Sequence, residues 1–206
     1  MIPLLVDLSG KTVLIFGGGD VGARKAAFFS GETVVRVYSR SFSPLFSGIA
    51  AECVRMDLSG ITEERISGLV KGSSVVVAAT PDTGLNDRIG AVCRGMGILF
   101  NNAEGVSGDV IIPSVVRGRN YLLAISTRGA GPAVSRYVRE FLESSLPGLD
   151  GMIGIQSRLR AYLKNHQPDQ EKRRDTLWKV LHDREAWSLL EKGEDQTWEM
   201  IERRYL

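Results

Sequence analysis

The sequence is short of cysteine, of net charge and of long apolar runs. Two cysteines in 206 residues, Cys53 and Cys93, stand apart with no CxxC and no nearby histidine. That excludes a disulfide framework and a sequence-local zinc site, and reads as two reduced, buried thiols. The 26 basic and 24 acidic residues leave a net charge of +2, without the basic excess of a generic nucleic-acid binder. No stretch approaches the ~18 consecutive apolar residues of a membrane span. The opening residues, MIPLLVDLSGK, lack the basic n-region of a secretory signal. The expectation is a soluble cytoplasmic protein with no nucleic-acid or membrane partner. Glycine is scarce in one region only: of 23 glycines, 22 lie at or before Gly154 and Gly193 alone lies after it. The chain thus has a glycine-punctuated part and a nearly glycine-free tail. Its length suits one domain, or one with a small appendage.

The glycine-punctuated part alternates strand and helix patterns. Residues 12–16 (TVLIF), 33–38 (TVVRVY) and 74–79 (SVVVAA) are short β-branched or wholly apolar runs, as expected of strands covered on both faces. Residues 52–56 and 98–101 read as weaker strands. Residues 21–30, 60–70 and 85–95 carry helical spacing. Such alternation predicts an α/β fold, a Rossmann-like doubly wound parallel sheet with right-handed crossovers.

At the first strand–helix turn stands Gly17-Gly18-Gly19-Asp20-Val21-Gly22. This G-x-G-x-x-G follows a buried strand and opens a helix, the context that gives the pattern weight. Gly17 suits the tight turn, Gly19 lets the backbone approach a pyrophosphate, and Gly22 lets helix and strand pack closely. Asp20 and Val21 lie at the helix N-terminus, whose NH groups and partial positive charge attract phosphates. The cofactor expected is NAD. After the second strand, where an acidic residue usually holds the ribose hydroxyls, the chain has Ser39-Arg40. Arg40 either receives a 2′-phosphate, which leaves NADP open, or is a solvated loop residue. Thr80 and Pro81 close the fourth strand at the ligand-binding edge of the sheet. Asn86 stands in position for a cofactor contact, with Asp82 or Thr83 able simply to cap that helix.

Taken together, these segments resemble the precorrin-2 dehydrogenases, the dehydrogenase/ferrochelatase module of siroheme synthase. Residues 4–25 (LLVDLSGKTVLIFGGGDVGARK) match that family's short strand, L-x-G-K turn and GGG-x-V-A-x-R-K loop, with Gly22 where relatives often have Ala. AATP with Asn86, then LFNNAE, VIIPSVV and LAISTRGAGP follow in order, so the likeness covers about residues 3–145. The resemblance implies NAD-dependent oxidation of precorrin-2 to sirohydrochlorin in siroheme or other tetrapyrrole biosynthesis. In some members Fe²⁺ is then inserted as a second substrate. It also implies a homodimer that exchanges elements after the nucleotide fold. The family's catalytic Asp falls at Glu104 here, one methylene longer, with Asp109 as the fallback.

Residues 110–139 hold five arginines (117, 119, 128, 136 and 139), no lysine and no acid. The guanidinium fork matches carboxylates, and precorrin-2 is an octacarboxylate. Arg136 and Arg139 can instead pair with Glu140 and Glu143 at i,i+4, which leaves Arg117 and Arg128 as substrate candidates. The loop Ser126-Thr127-Arg128-Gly129-Ala130-Gly131-Pro132 leads a strand (121–125) into a helix. It is either an anion pocket at a helix N-terminus or a simple cap.

The tail shows helical spacing throughout and holds all three tryptophans and both histidines, His166 and His182. The histidines read as structural or exposed, and no metal site is expected. The domain reading is a Rossmann domain over 1–113, a small dimerisation and substrate segment over 114–148, and a helical domain over 149–206. Two other functions stay open: an NAD(P)-sensing regulatory module, and a generic NADP-dependent reductase. The second lacks a Tyr-x-x-x-Lys pair.

Overall fold

The computed structural model describes residues 1–103 and 108–206. Five parallel strands, β1 (Thr12–Phe16), β2 (Val34–Ser39), β3 (Glu52–Arg55), β4 (Val75–Ala78) and β5 (Leu99–Asn102), lie in the order β3-β2-β1-β4-β5. Helices α1 (Asp20–Phe29), α2 (Glu63–Val70) and α3 (Thr83–Gly95) make the crossovers. The apolar runs follow from cover on both faces. Leu14, Phe16, Val76, Ala78 and Phe100 face one core with Ile66 and Ile89. Their neighbours Val13, Ile15, Val35, Val37, Val75 and Val77 face the other with Ala23, Ala26 and Phe29. Successive strand residues point to opposite faces, so a central strand covered twice has no polar alternation to show.

β3 is an edge strand, and three of its four residues are exposed. That overturns one expectation. Cys53 lies on this edge and is exposed, whereas Cys93 on α3 is buried. Burial, with Asp109 adding its charge, pushes the Cys93 thiol up to about 12. The N-terminal strand of the resemblance does not form either. Residues 1–8 take no regular structure, and Met1, Ile2, Leu4, Leu5 and Val6 are exposed. The turn that follows does form, with Lys11 NH on the Leu8 carbonyl at 3.0 Å.

The chain divides into two compact units, Met1–Ile112 and Pro113–Leu206. In the second, an antiparallel pair β6 (Ser114–Arg117) and β7 (Leu122–Ile125) lies against α4 (Pro132–Ser145). Helices α5 (Leu149–His166), α6 (Gln170–His182), α7 (Arg184–Leu190) and α8 (Glu194–Tyr205) share a core of Met152, Ile155, Leu159, Val180, Trp198 and Ile201. The Asp150 carboxylate on α5 accepts the Arg119 and Asn120 NH groups at 2.9 and 2.7 Å, which ties the β6–β7 turn to the helices. Both histidines are exposed and bonded to their own helices. His166 stacks on Tyr162 and His182 on Trp178, each with Nδ1 on a helix carbonyl. Among the described residues no helix is long and apolar enough to cross a membrane.

Candidate active site

The site begins where β1 ends. Gly17 has φ +114°, a conformation L side chains rarely adopt, and its NH donates to the Tyr38 carbonyl of β2 at 3.0 Å. A Cβ on Gly17 would run into the Ala79 carbonyl, and one on Gly22 into the Gly17 carbonyl. With the backbone as it stands, neither position has room for a side chain. Gly19 differs, since a Cβ there would meet nothing within 4 Å. It is the N-cap of α1 and supplies no side-chain cap, so the first-turn NH groups of α1 are not covered by a protein oxygen at the cap. A tight turn, an uncapped helix N-terminus and open space at its entrance together fit a dinucleotide pyrophosphate. Val21 is half-buried at this end and Asp20 exposed.

Gly18 brings in a segment the sequence reading passed over. A Cβ on it would strike the Ser41 carbonyl and, at 2.8 Å, the Phe42 ring. Ser43 NH donates to the Gly18 carbonyl at 2.7 Å, and Ser43 Oγ donates to Asp20 Oδ1 at 2.5 Å. The loop after β2, with Ser39 half-buried and Arg40 exposed, is thus fastened to the phosphate turn. The available signal was the run of serines at 39, 41 and 43 beside the fingerprint.

At the end of β4, Thr80 and Asn86 form a closed pair. Thr80 Oγ1 donates to Asn86 Oδ1 at 2.7 Å, and the Thr80 NH donates to the same oxygen at 3.3 Å. Asn86 Nδ2 returns a bond to the Thr80 carbonyl at 2.9 Å. Asn86 is fully buried, so it acts on the edge of the sheet by holding Thr80 and Pro81 in place. Asp82 caps α3 through the Leu85 NH at 2.9 Å.

Beyond β5 the chain turns back. Asp109 NH donates to the Phe100 carbonyl at 2.8 Å, which places the exposed Asp109 beside the middle of β5. Its charge is felt by Cys93, well along α3. Asn101, another residue the sequence reading left without a role, is buried. Its Nδ2 donates to the Val110 carbonyl at 2.7 Å, and its buried Oδ1 meets no partner among the described residues. The pair of asparagines at 101 and 102, at the end of a short strand, was the signal. Glu104, the expected proton acceptor, lies outside the described residues.

The second turn belongs to the second unit. Thr127 Oγ1 accepts the Gly131 NH at 3.1 Å and lies 3.2 Å from Ser135 Oγ, and Ser126 Oγ accepts the Arg128 NH at 3.1 Å. Here the hydroxyls serve the turn itself. Arg128 has φ +56°, the only positive φ of a non-glycine among the described residues, and Gly129 follows at +86°. Arg128 is exposed. Arg136 and Arg139 pair with Glu140 and Glu143, each at 2.8 Å, as their spacing suggested. Arg119 reaches Glu194 at 3.7 Å, and Arg117 is exposed at the end of β6. A cavity of about 640 Å³ between α5 and α6 holds none of the expected site residues. Among the described residues no three His, Cys, Asp or Glu side chains gather as a metal site would require.

Known proteins place this geometry in context. A sequence-family model described as "Putative NAD(P)-binding" matches residues 4–114. The chain is 39% identical over 192 residues to the precorrin-2 dehydrogenase of Methanosarcina barkeri, a match over 91% of this chain and 85% of that one. It is 33% identical over 167 residues to siroheme synthase 1 of Klebsiella pneumoniae, covering 80% of this chain and 34% of that longer protein. A solved structure of SirC, a precorrin-2 dehydrogenase, is similar with a TM-score of 0.70 at 21% identity, over 98% of this chain and 100% of that one. At that identity the likeness speaks for the fold, including the C-terminal helical region.

Proposed function

The chain belongs to the precorrin-2 dehydrogenase family, and from that premise we propose that it oxidises precorrin-2 to sirohydrochlorin with NAD⁺ as hydride acceptor. The observation that carries the reading is the turn at 17–22, whose uncapped α1 N-terminus opens at Gly19 into space free of protein. The balance is precorrin-2 + NAD⁺ → sirohydrochlorin + NADH + H⁺. When bound, the nicotinamide supplies the hydride acceptor. The chain supplies the rest. Backbone NH groups of α1 hold phosphate, and Thr80 and Pro81, fixed by Asn86, form the neighbouring wall. Glu104 takes the proton, a carboxylate being the acceptor type the step needs.

Arg117 and Arg128, with Ser126, Thr127 and Gly129, receive carboxylates of the substrate. The strained backbone at Arg128 supports that role, since an unfavourable φ persists where something gains by it. The exposed stripe Val134, Tyr137 and Phe141 on α4 has helical spacing, and we assign it to the contact of a cytoplasmic homodimer. A Tyr137→Glu variant that sediments as a monomer agrees with that assignment.

Anaerobic incubation with enzymatically made precorrin-2 and NAD⁺ tests the reaction. The visible spectrum converts to that of sirohydrochlorin, and no change with either NAD⁺ or NADP⁺ rejects it. A regulatory NAD(P) sensor would bind the dinucleotide and leave the spectrum unchanged. Full-rate oxidation by Glu104→Gln would remove that residue as proton acceptor. Adding Fe²⁺ to sirohydrochlorin tests the insertion step, with Fe²⁺ as substrate.

A further inference from the structure

The helical part of the second unit carries a charged cleft that the proposed oxidation does not use. It lies between α5 and α6 and has a volume of about 640 Å³, within the roughly 300–1,000 Å³ of small-molecule sites. Arg160, Leu163 and Lys164 line it from α5, and Arg173, Arg174 and Leu177 from α6. On α5 the spacing is i, i+3, i+4, and on α6, counted from Gln170, it is i, i+3, i+4, i+7. Each set therefore shares one helix face. Facing positions of two packed helices are normally apolar. Here leucine supplies only the floor. Leu163 is buried and Leu177 half-buried, while Arg160, Lys164 and Arg174 are exposed.

Two contacts fix the shape of the cleft. Gln156 Nε2 donates to the Leu177 carbonyl at 3.1 Å, which ties α5 to α6. Arg173 Nη1 donates to the Gln167 and Pro168 carbonyls at 2.7 and 2.9 Å and braces the turn between the helices. Arg174 reaches Glu171, the one acid in the lining, at 3.5 Å, with both side chains exposed. Arg160 and Lys164 make no ion pair or hydrogen bond among the described residues. They stand at i,i+4, where like charges work against the helix. Four cations against one carboxylate leave a local excess of three positive charges, more than the +2 of the whole chain. A cleft lined by one sign of charge over apolar walls concentrates ions of the other sign.

We propose that the α5–α6 cleft is a second ligand site, for an organic polyanion with an apolar body. The guanidinium forks of Arg160 and Arg174 take carboxylate or phosphate oxygens, Lys164 adds a point charge, and Leu163 and Leu177 receive the apolar part. No residue of the cleft belongs to the turns at 17–22 or 126–132, so the proposal does not rest on the reading of either. Two sources share this chemistry: a tetrapyrrole polycarboxylate such as sirohydrochlorin, and a purine nucleotide such as ATP.

Fluorescence titration of the full chain with bis-anilinonaphthalene sulfonate, which carries two sulfonates on an aromatic body, tests the site. Saturating NAD⁺ keeps the turn at 17–22 filled. The dye binds, and raised salt weakens it. Arg160→Glu combined with Lys164→Glu weakens it about tenfold or more. Arg184→Glu, a charge reversal at an exposed position of α7, leaves it unchanged. Lys164→Glu alone also weakens the dye, yet it turns a like-charge pair into an opposite one, so the melting temperature holds or rises. A merely structural lysine would lose stability instead. Displacement of the dye by sirohydrochlorin and not by ATP supports the site with carboxylate as its ligand, and the reverse supports it with phosphate. If the double variant binds the dye as tightly as the native chain, or if neither compound displaces it, the cleft is no ligand site, and the proposed oxidation is untouched.

Discussion

Two glycine-bearing turns, at 17–22 and 126–132, each lead a strand into a helix, and they are built in opposite ways. The first is held by backbone. Gly17 sits against Ala79 and Gly22 against Gly17 itself, at spacings no side chain fits. At its mouth, Gly19 leaves α1 uncapped; Gly131 also gives α4 no side-chain cap, but there Pro132 removes one first-turn NH. The second is held by hydroxyls. Thr127 and Ser126 accept NH groups of their own turn, and Gly129 has open space around it. A turn whose NH groups are left over is available to a phosphate. A turn that serves its own NH groups leaves its charged side chain, here Arg128, as the group facing out. The difference supports the proposal of nucleotide at the first turn and substrate carboxylate at the second.

The sharpest way to break this contrast is Gly17→Ala. A residue with a side chain at φ +114°, driven into the Ala79 carbonyl, is expected to cost about 3 kcal/mol of stability. It should also abolish dinucleotide binding. Chemical denaturation and NADH titration check both.

Gly19→Ala then separates packing from function. Nothing in the protein meets the added Cβ, so the melting temperature should stay within about 2 °C. Dinucleotide affinity should fall about tenfold or more, because the methyl occupies the phosphate approach. A parallel loss of stability would put Gly19 in the same class as Gly17 and remove the open-mouth reading.

In the second turn Thr127→Val deletes the oxygen that accepts the Gly131 NH and leaves Ser135 without its neighbour. A loss of about 1 kcal/mol is expected, with dinucleotide binding unaffected. The smallest effect belongs to Arg128→Gly. Glycine relaxes the positive φ, which should raise stability by about 0.5–1 kcal/mol. Precorrin-2 binding should weaken at the same time. A variant that binds substrate normally would show that the strain serves the fold alone.

The same contrast explains what was legible beforehand. Strands β1, β2 and β4 could be read directly, because a strand covered on both faces is a continuous apolar run. The fingerprint glycines were legible because backbone contact admits so few residue types. β6 was not assigned as a strand, since Ser114–Arg117 is four residues long with one buried side chain, too little pattern to mark it. The burial of Cys53 was misjudged because residue type does not reveal that β3 lies at the sheet edge. Asn86 was legible as a polar residue at the ligand-binding edge, but its closed pairing with Thr80 depends on the turn between them. The clasp of Ser43 on Gly18 and Asp20 spans more than twenty positions in sequence, and no local pattern marks it.

Amide hydrogen exchange on the whole chain, with and without NADH, tests the central claim most directly. The account predicts new protection at residues 18–22 and around Thr80, and none at residues 126–131. Protection appearing in the second turn, or an unchanged first turn under saturating NADH, would contradict it.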